Sequence, residues 1–179
     1  MGLDTDNLFG TGDTAQDEFF MSEAEKALRN RLTIKQTNET LVNSAVLQND
    51  NELFYPVEAN SYYTFDLTFQ FQTNDVEDFK FSFAVPVGAI GNYTNVWFNA
   101  VVGAAGDTTR AVNIPNDINY VSQISSAGDQ VGVWWTLKGT LKTGNTAGNL
   151  NFQWAQRVAG APAVVTTVYA GSYMILNKQ

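Results

Sequence analysis

The sequence predicts an all-β, antiparallel fold, namely a β-sandwich, a jelly roll or a barrel, and three observations support this. From Leu32 onward, hydrophobic and polar residues alternate with a period of two, which is typical of strands with one buried face. Turn-forming residues, for example in residues 86–92 and 143–149, separate these segments at short and fairly even intervals. No segment with helical periodicity lies between them, so we expect the strands to pair directly with one another.

The clearest predicted strand covers residues 61–73, where Tyr63, Phe65 and Leu67 alternate with polar residues. This pattern predicts one buried face and one polar face. The same alternation predicts strands at residues 79–85, 131–141 and 150–154. Shorter apolar runs predict further strands at residues 32–36, 41–48, 95–102, 164–169 and 172–176.

The first 31 residues differ in composition from the rest of the chain. Seven of the 18 acidic residues lie among the first 25 positions, and the first half of this segment is rich in Gly, Asp, Thr and Asn. Ser22 and Glu25 match a capping box, which predicts one short helix. We therefore divide the chain into an N-terminal arm, residues 1–31, and a β domain, residues 32–179. The arm either folds back on its own domain or docks on a neighbouring subunit or a larger surface.

Charge and composition exclude several classes of function. The chain has 179 residues, with 10 Lys and Arg against 18 Asp and Glu, which gives a net charge of -8. We expect neither nucleic acid nor an anionic membrane as a partner, because both are bound mainly through Lys and Arg. The absence of His and Cys excludes Ser-His-Asp and Cys-His catalysis, disulfide bonds and the usual ligands of zinc and iron–sulfur sites. We also expect no secretory signal peptide, because the N-terminus lacks a basic region and an apolar region.

The densest group of carboxylates is Asp75, Glu77 and Asp78, which we predict to lie in one solvated turn. A glycosidase needs two carboxylates that face each other across a cleft, with one pKa raised by burial, and such a turn provides neither. The turn also lacks the residue spacing of a calcium-binding loop. No base, nucleophile and orienting group can be assigned together elsewhere. We therefore expect no enzymatic activity, no metal and no cofactor.

The four tryptophans are divided between core and surface by their phase within the predicted strands. Trp135 and Trp154 are in phase with the buried residues of their strands, which predicts that they belong to the core. Trp134 has the opposite phase, and Phe98 is out of phase with Trp97 in the same way. Two consecutive aromatics in two strands indicate that both faces of one sheet are covered, and oligomerisation would provide the cover. Burial under a loop is the alternative.

The order of several short motifs resembles that of phage virion proteins of this length. The motifs are LQNDNEL (47–53), VEANSYYTFDL (57–67), DFKFSF (78–83) followed by Pro86 and Gly88, GNLNFQWAQ (148–156) and TTVYAGSY (166–173). They span about residues 40–176. The chain is similar to tailed-phage capsid decoration (cement) or head-fibre proteins with a jelly-roll domain of the tumour-necrosis-factor/C1q kind. The resemblance implies an antiparallel jelly-roll β-sandwich with an extended N-terminal arm and one short helix.

The resemblance also implies a function. We expect a virion structural protein that is made in the host cytoplasm and stabilises a capsid from its outer surface as a homotrimer. Its partners would be the major capsid protein and further copies of itself. The alternative is a tail-fibre or spike module that recognises a host surface glycan, and a glycan hydrolase of sandwich fold is a third, weaker hypothesis.

Two groups of site residues follow from this hypothesis. Apolar patches of the arm would dock on the capsid through Leu8, Phe9, Phe19, Phe20, Met21 and Leu28. The candidate oligomer interface comprises Trp97, Phe98, Trp134, Tyr169 and Tyr173.

Overall fold

The computed structural model describes residues 32–73, 78–96, 116–124, 130–159 and 165–179. Within this part of the chain the protein is all-β, which confirms the predicted fold class. The strands are β1 (Leu32–Ile34), β2 (Glu39–Val42), β3 (Gln48–Val57), β4 (Tyr62–Thr73), β5 (Phe79–Ala84), β6 (Ile90–Val96), β7 (Asn116–Asp117), β8 (Ser122–Ile124), β9 (Gln130–Lys142), β10 (Gly148–Gln156), β11 (Val165–Val168) and β12 (Tyr173–Lys178). In these segments there is no helix long and apolar enough to cross a membrane.

The strands form two antiparallel sheets that pack into a sandwich. The larger sheet has eight strands, with β1-β12-β4-β9-β6-β7 in one row and β11 and β2 attached beside one end of β4. The smaller sheet has the order β3-β10-β5-β8. From β3 to β10 the chain crosses between the sheets at every connection except that from β6 to β7. The resulting rows, β3-β10-β5-β8 and β4-β9-β6-β7, have the connectivity of an eight-stranded jelly roll.

The inner faces of the two sheets meet in an aromatic core. The ring centroid of Phe69 in the larger sheet lies 5.7 Å from that of Phe79 and 4.9 Å from that of Phe152, both in the smaller sheet. Trp154 stacks on Phe79 with a centroid distance of 6.0 Å and an interplanar angle of 12°. All four side chains are fully buried. Aromatic pairs of this geometry contribute roughly 0.5–1.5 kcal/mol each beyond their burial, so the period-two phenylalanines hold the two sheets together.

A buried ion pair joins the two sheets at one edge of the sandwich. Lys35, directly after β1 in the larger sheet, forms salt bridges with Asp50 on β3 of the smaller sheet and with Glu39 on β2. Burial by itself lowers the pKa of Lys35, but the hydrogen bonds to the two carboxylates outweigh that effect, so the pKa is raised above its ordinary value of 10.5. Lys35 is therefore held as a buried cation in the folded protein.

Some strand limits differ from the prediction. The predicted strand at residues 41–48 is divided, because β2 ends at Val42 and β3 begins at Gln48. Asn43 adopts a positive φ of 50°, and the next residue is anchored to Gln156, so the chain turns there instead of continuing as a strand.

The turn predicted at residues 86–92 is shorter than expected. The N–H of Ala89 donates to the carbonyl of Pro86 at 3.0 Å, and Gly88 provides the positive φ of 79°, so the turn closes early and β6 begins at Ile90. The strand predicted at residues 95–102 overlaps only the last two residues of β6, and its remainder lies outside the described residues, as does the helix predicted from the capping box at Ser22.

Candidate functional site

The two outward surfaces of the sandwich differ in their chemistry. On the smaller sheet, the outward positions of the central strands carry mainly amides and a lysine that reach solvent, namely Lys80, Asn149, Asn151 and Gln153, whereas the small Ser82 is buried. Phe54 on the edge strand β3 is a hydrophobic exception and is 39% exposed. This surface is therefore well suited to contact with water.

The outward surface of the larger sheet exposes several large hydrophobic side chains on both sides of the polar outward positions of β4. Trp134 of β9 is 47% exposed, and Leu32 and Ile34 of β1 are exposed to a similar extent. Val42 and Val165 form an exposed pair across β2 and β11. Large apolar patches on a protein surface mark interaction sites, whereas scattered apolar residues do not.

Strand register arranges these side chains on one surface. Leu32 pairs with Ile175 and Ile34 pairs with Tyr173 across β1 and β12, so the four side chains form two adjacent rows. We define the apolar face by its members, Leu32, Ile34, Val42, Trp134, Val165, Tyr173 and Ile175.

Three of the five predicted interface residues lie close together on this sheet. Trp134 lies opposite Gln70 of β4, and Tyr173 pairs with β4 two positions before Gln70. The backbone N–H of Tyr169 donates to the carbonyl of Gln70 at 2.9 Å, and its hydroxyl donates to Oε1 of Gln72. These three aromatic residues therefore lie beside successive outward positions of β4.

Of the remaining tryptophans and candidate site residues, the structure describes Trp135 and Trp154. Trp135 and Trp154 are buried, which confirms the prediction that they belong to the core. The following predicted site residues lie outside the described residues: Leu8, Phe9, Phe19, Phe20, Met21, Leu28, Trp97 and Phe98.

Sequence reasoning missed the aliphatic part of the apolar face. Leu32 and Ile34 belong to a strand of three residues, and Val165 begins a strand of four. A period of two over so few residues does not show which positions face outward. The alternation of Leu32 and Ile34 around a polar residue was the available signal. The face of the sheet on which these side chains lie follows only from the pairing of β1 with β12.

A groove lies toward the other end of the same outward surface. It has a volume of about 450 Å³, and its walls include Tyr62, Ile90 and Lys142, at the ends of β4, β6 and β9. The ammonium nitrogen of Lys142 lies 5.2 Å from the ring centroid of Tyr62, within the range of a cation–π contact. Between the walls, the hydroxyl of Thr140 donates to Oδ1 of Asn92 at 3.1 Å. Sequence reasoning did not find this groove, because its lining comes from several strands that are distant in sequence.

The acidic turn differs from the prediction at Asp78. We expected a solvated carboxylate, but the Asp78 side chain is buried and accepts a hydrogen bond from Nη1 of Arg157 at 2.7 Å. The backbone carbonyl of Asp78 also accepts a hydrogen bond from the hydroxyl of Thr73, which holds Asp78 against the end of β4. Asp75 and Glu77 lie outside the described residues. Among the residues that the structure describes, no three acidic side chains are grouped so that they could hold a metal ion.

Comparison with known proteins does not assign the chain to a family. No family model matches the sequence, and neither a curated protein nor a solved structure matches it. The function must therefore be inferred from the chemistry of the two outward surfaces.

Proposed function

We propose that the chain is a virion structural protein, a capsid decoration (cement) protein that stabilises a phage head as a homotrimer. The observation that carries the proposal is the contrast between the apolar face of the larger sheet and the polar outward surface of the smaller sheet. A monomer would leave the apolar face in water. Closed cyclic assembly buries the same face of every copy and leaves the opposite surface hydrated.

The polar groups beside the apolar face are compatible with burial in a subunit contact. The hydroxyls of Thr68 and Thr136, next to Trp134 and Tyr173, lie 3.1 Å apart and bond to each other. A polar group that loses water without a partner costs roughly 1–3 kcal/mol. Because these groups already pair within the sheet, assembly can cover them at a lower cost.

The proposed role on the capsid is supported by the sequence of the N-terminal arm. The arm joins the β domain at β1, which contributes Leu32 and Ile34 to the apolar face. Ordering an arm costs about 1–2 kcal/mol per residue, so docking needs apolar contacts such as those of Phe19 and Phe20. The net charge of -8 supports an outer position, where the protein would contact capsid protein instead of packaged DNA.

Sedimentation with capsids tests this proposal. The purified chain is mixed with capsids of its virus that lack the protein, the capsids are pelleted, and the bound copies are counted. We expect the full chain to bind in multiples of three and a chain of residues 32–179 to remain in the supernatant. Failure of the full chain to bind would refute the capsid role, and equal binding by both chains would refute docking through the arm.

A further inference from the structure

The groove beside Tyr62, Ile90 and Lys142 is spatially separate from the aromatic part of the apolar face. Along β9, position 142 is eight residues from Trp134, which corresponds to about 26 Å at the rise of a strand. A trimer that buries the surface around Trp134 can therefore leave this groove open to solvent. The proposed function does not use the groove.

We propose that this groove binds a saccharide of one or a few pyranose rings. The ring of Tyr62 and the side chain of Ile90 provide exposed apolar walls, and Thr64, Asn92 and Thr140 provide hydroxyl and amide groups. A pyranose ring has the complementary chemistry, because its faces carry C–H groups and its edges carry hydroxyls. Small-molecule sites generally combine apolar walls with a few polar groups that fix orientation, at volumes of about 300–1,000 Å³.

The groove continues along β9, which favours a linear oligosaccharide over a single compact molecule. An adjoining cavity of about 360 Å³ shares Thr64, Asn92 and Thr140 with the first and extends to Lys138. From position 142 to Lys138 the strand rises about 13 Å. The two cavities together form an open trough with hydroxyl and amide groups along its length.

The polar groups of the trough are held in place by bonds among themselves. The hydroxyl of Thr140 donates to Oδ1 of Asn92, which fixes the orientation of that amide and leaves its two N–H groups as donors. Nε2 of Gln179 donates to the hydroxyl oxygen of Thr64 at 3.2 Å. Groups that are ordered before binding lose less entropy when a ligand binds.

Other classes of ligand fit the groove less well. A peptide that adds as a strand needs a free backbone edge, but β9 pairs with β4 and β6 on its two sides, and β6 pairs with β7 at Asn92 and Asp117. A nucleic acid needs a row of cations, but Lys142 faces the same groove as Asp117 in a chain of net charge -8. Recognition by side chains of a hydroxyl-rich ring remains the best match.

Ligand-observed NMR tests this proposal. The full chain is mixed with neutral and uronic-acid oligosaccharides of two to six rings, and saturation transfer and dissociation constants are measured. We expect binding by at least one class of oligosaccharide. We also expect at least tenfold weaker binding after Tyr62→Ala, which removes the aromatic wall, and after Thr140→Val, which removes a hydroxyl.

Tyr120→Ala is the matched control, because Tyr120 is 55% exposed, Tyr62 is 54% exposed, and only Tyr62 lines the groove. We expect this control to bind like the unchanged chain. The absence of binding by every oligosaccharide at millimolar concentration would overturn the proposal, as would equal binding by Tyr62→Ala. These outcomes are independent of the trimer, whose mass is measured separately by light scattering.

Discussion

The ammonium nitrogen of Lys35 lies 2.8 Å from Oδ1 of Asp50, and both side chains are fully buried. Oδ1 of Asp50 also accepts the backbone N–H of Leu53 at 2.9 Å, and Oδ2 accepts the indole N–H of Trp154 at 3.1 Å. The carboxylate therefore binds its own strand and two segments, at Lys35 and Trp154, that are distant from it in sequence. Because Lys35 follows a strand of the larger sheet and Asp50 lies in the smaller one, the pair fixes one edge of the sandwich.

Removing the carboxylate should destabilise the protein strongly. We expect Asp50→Ala to lower the free energy of unfolding by about 3–5 kcal/mol, because it leaves the Lys35 ammonium in the interior without this partner. The matched control is Asp66→Ala, which breaks an exposed pair with Lys138 and should cost less than about 1 kcal/mol. Urea unfolding monitored by tryptophan fluorescence measures both. Equal destabilisation by the two changes would contradict the role of the buried pair.

Stability should fall as the pH rises from about 10 toward 12. Burial raises the pKa of Tyr93 from 10.0 to about 12, although a hydrogen bond with Ser122 opposes this shift. The folded chain therefore keeps a proton that the unfolded chain loses, so rising pH favours unfolding. The raised pKa of Lys35 acts in the same direction above pH 10.5.

The variant Tyr93→Phe separates the contribution of the tyrosine. It removes the titrating hydroxyl but keeps the ring, so its free energy of unfolding should depend less on pH in this window than that of the unchanged chain. Urea unfolding at several pH values measures the slopes. Identical slopes for the two proteins would exclude Tyr93 as a source of the alkaline instability.

The centre of the aromatic core should be sensitive to truncation. Phe69 packs against Phe71 on its own strand and, across the two sheets, against Phe79, Phe81 and Phe152. We expect Phe69→Ala to lower the free energy of unfolding by about 3–5 kcal/mol, because it removes buried contacts and leaves a cavity. As a control, Phe54→Ala alters an exposed phenylalanine and should cost much less. A small effect at Phe69 would mean that the core can close around the missing ring.

Substitution on the apolar face should weaken self-association. We expect Trp134→Ser to shift the native mass toward the monomer, with at least tenfold weaker association, because an aromatic anchor is lost from the subunit contact. Phe54→Ser is the control, since it removes an aromatic residue of similar exposure from the other outward surface. Sedimentation velocity over a range of concentrations measures both. An unchanged mass for Trp134→Ser would exclude this residue from the interface.

The long strands were predictable and the short ones were not, for a physical reason. In β4 and β9 the two faces differ in chemistry over twelve and thirteen residues, so the period of two is clear in the sequence. In β1 and β2 only three and four residues alternate, and the direction of each side chain depends on the partner strand. Whole strands such as β3 were missed, because its polar residues do not alternate regularly with apolar ones.

Among the candidate site residues, Trp134 could be identified from its phase next to the buried Trp135. The ion pair of Lys35 with Asp50 could not, since a lysine is usually exposed and its partner lies fifteen positions away. The groove at Tyr62 could not be identified either, because its lining depends on strand pairing over long sequence distances. Local pattern thus predicts which face of a long strand is buried, but not the sites that several strands build together.

Light scattering of the purified protein tests the proposed trimer most directly. The native mass is measured for the full chain and for residues 32–179, because the apolar face belongs to the β domain. We expect both to have the mass of three chains, which for the full chain is three times 19.7 kDa. A monomeric mass for both at high concentration would contradict the homotrimer, and a trimer that requires the arm would place the arm within the subunit interface.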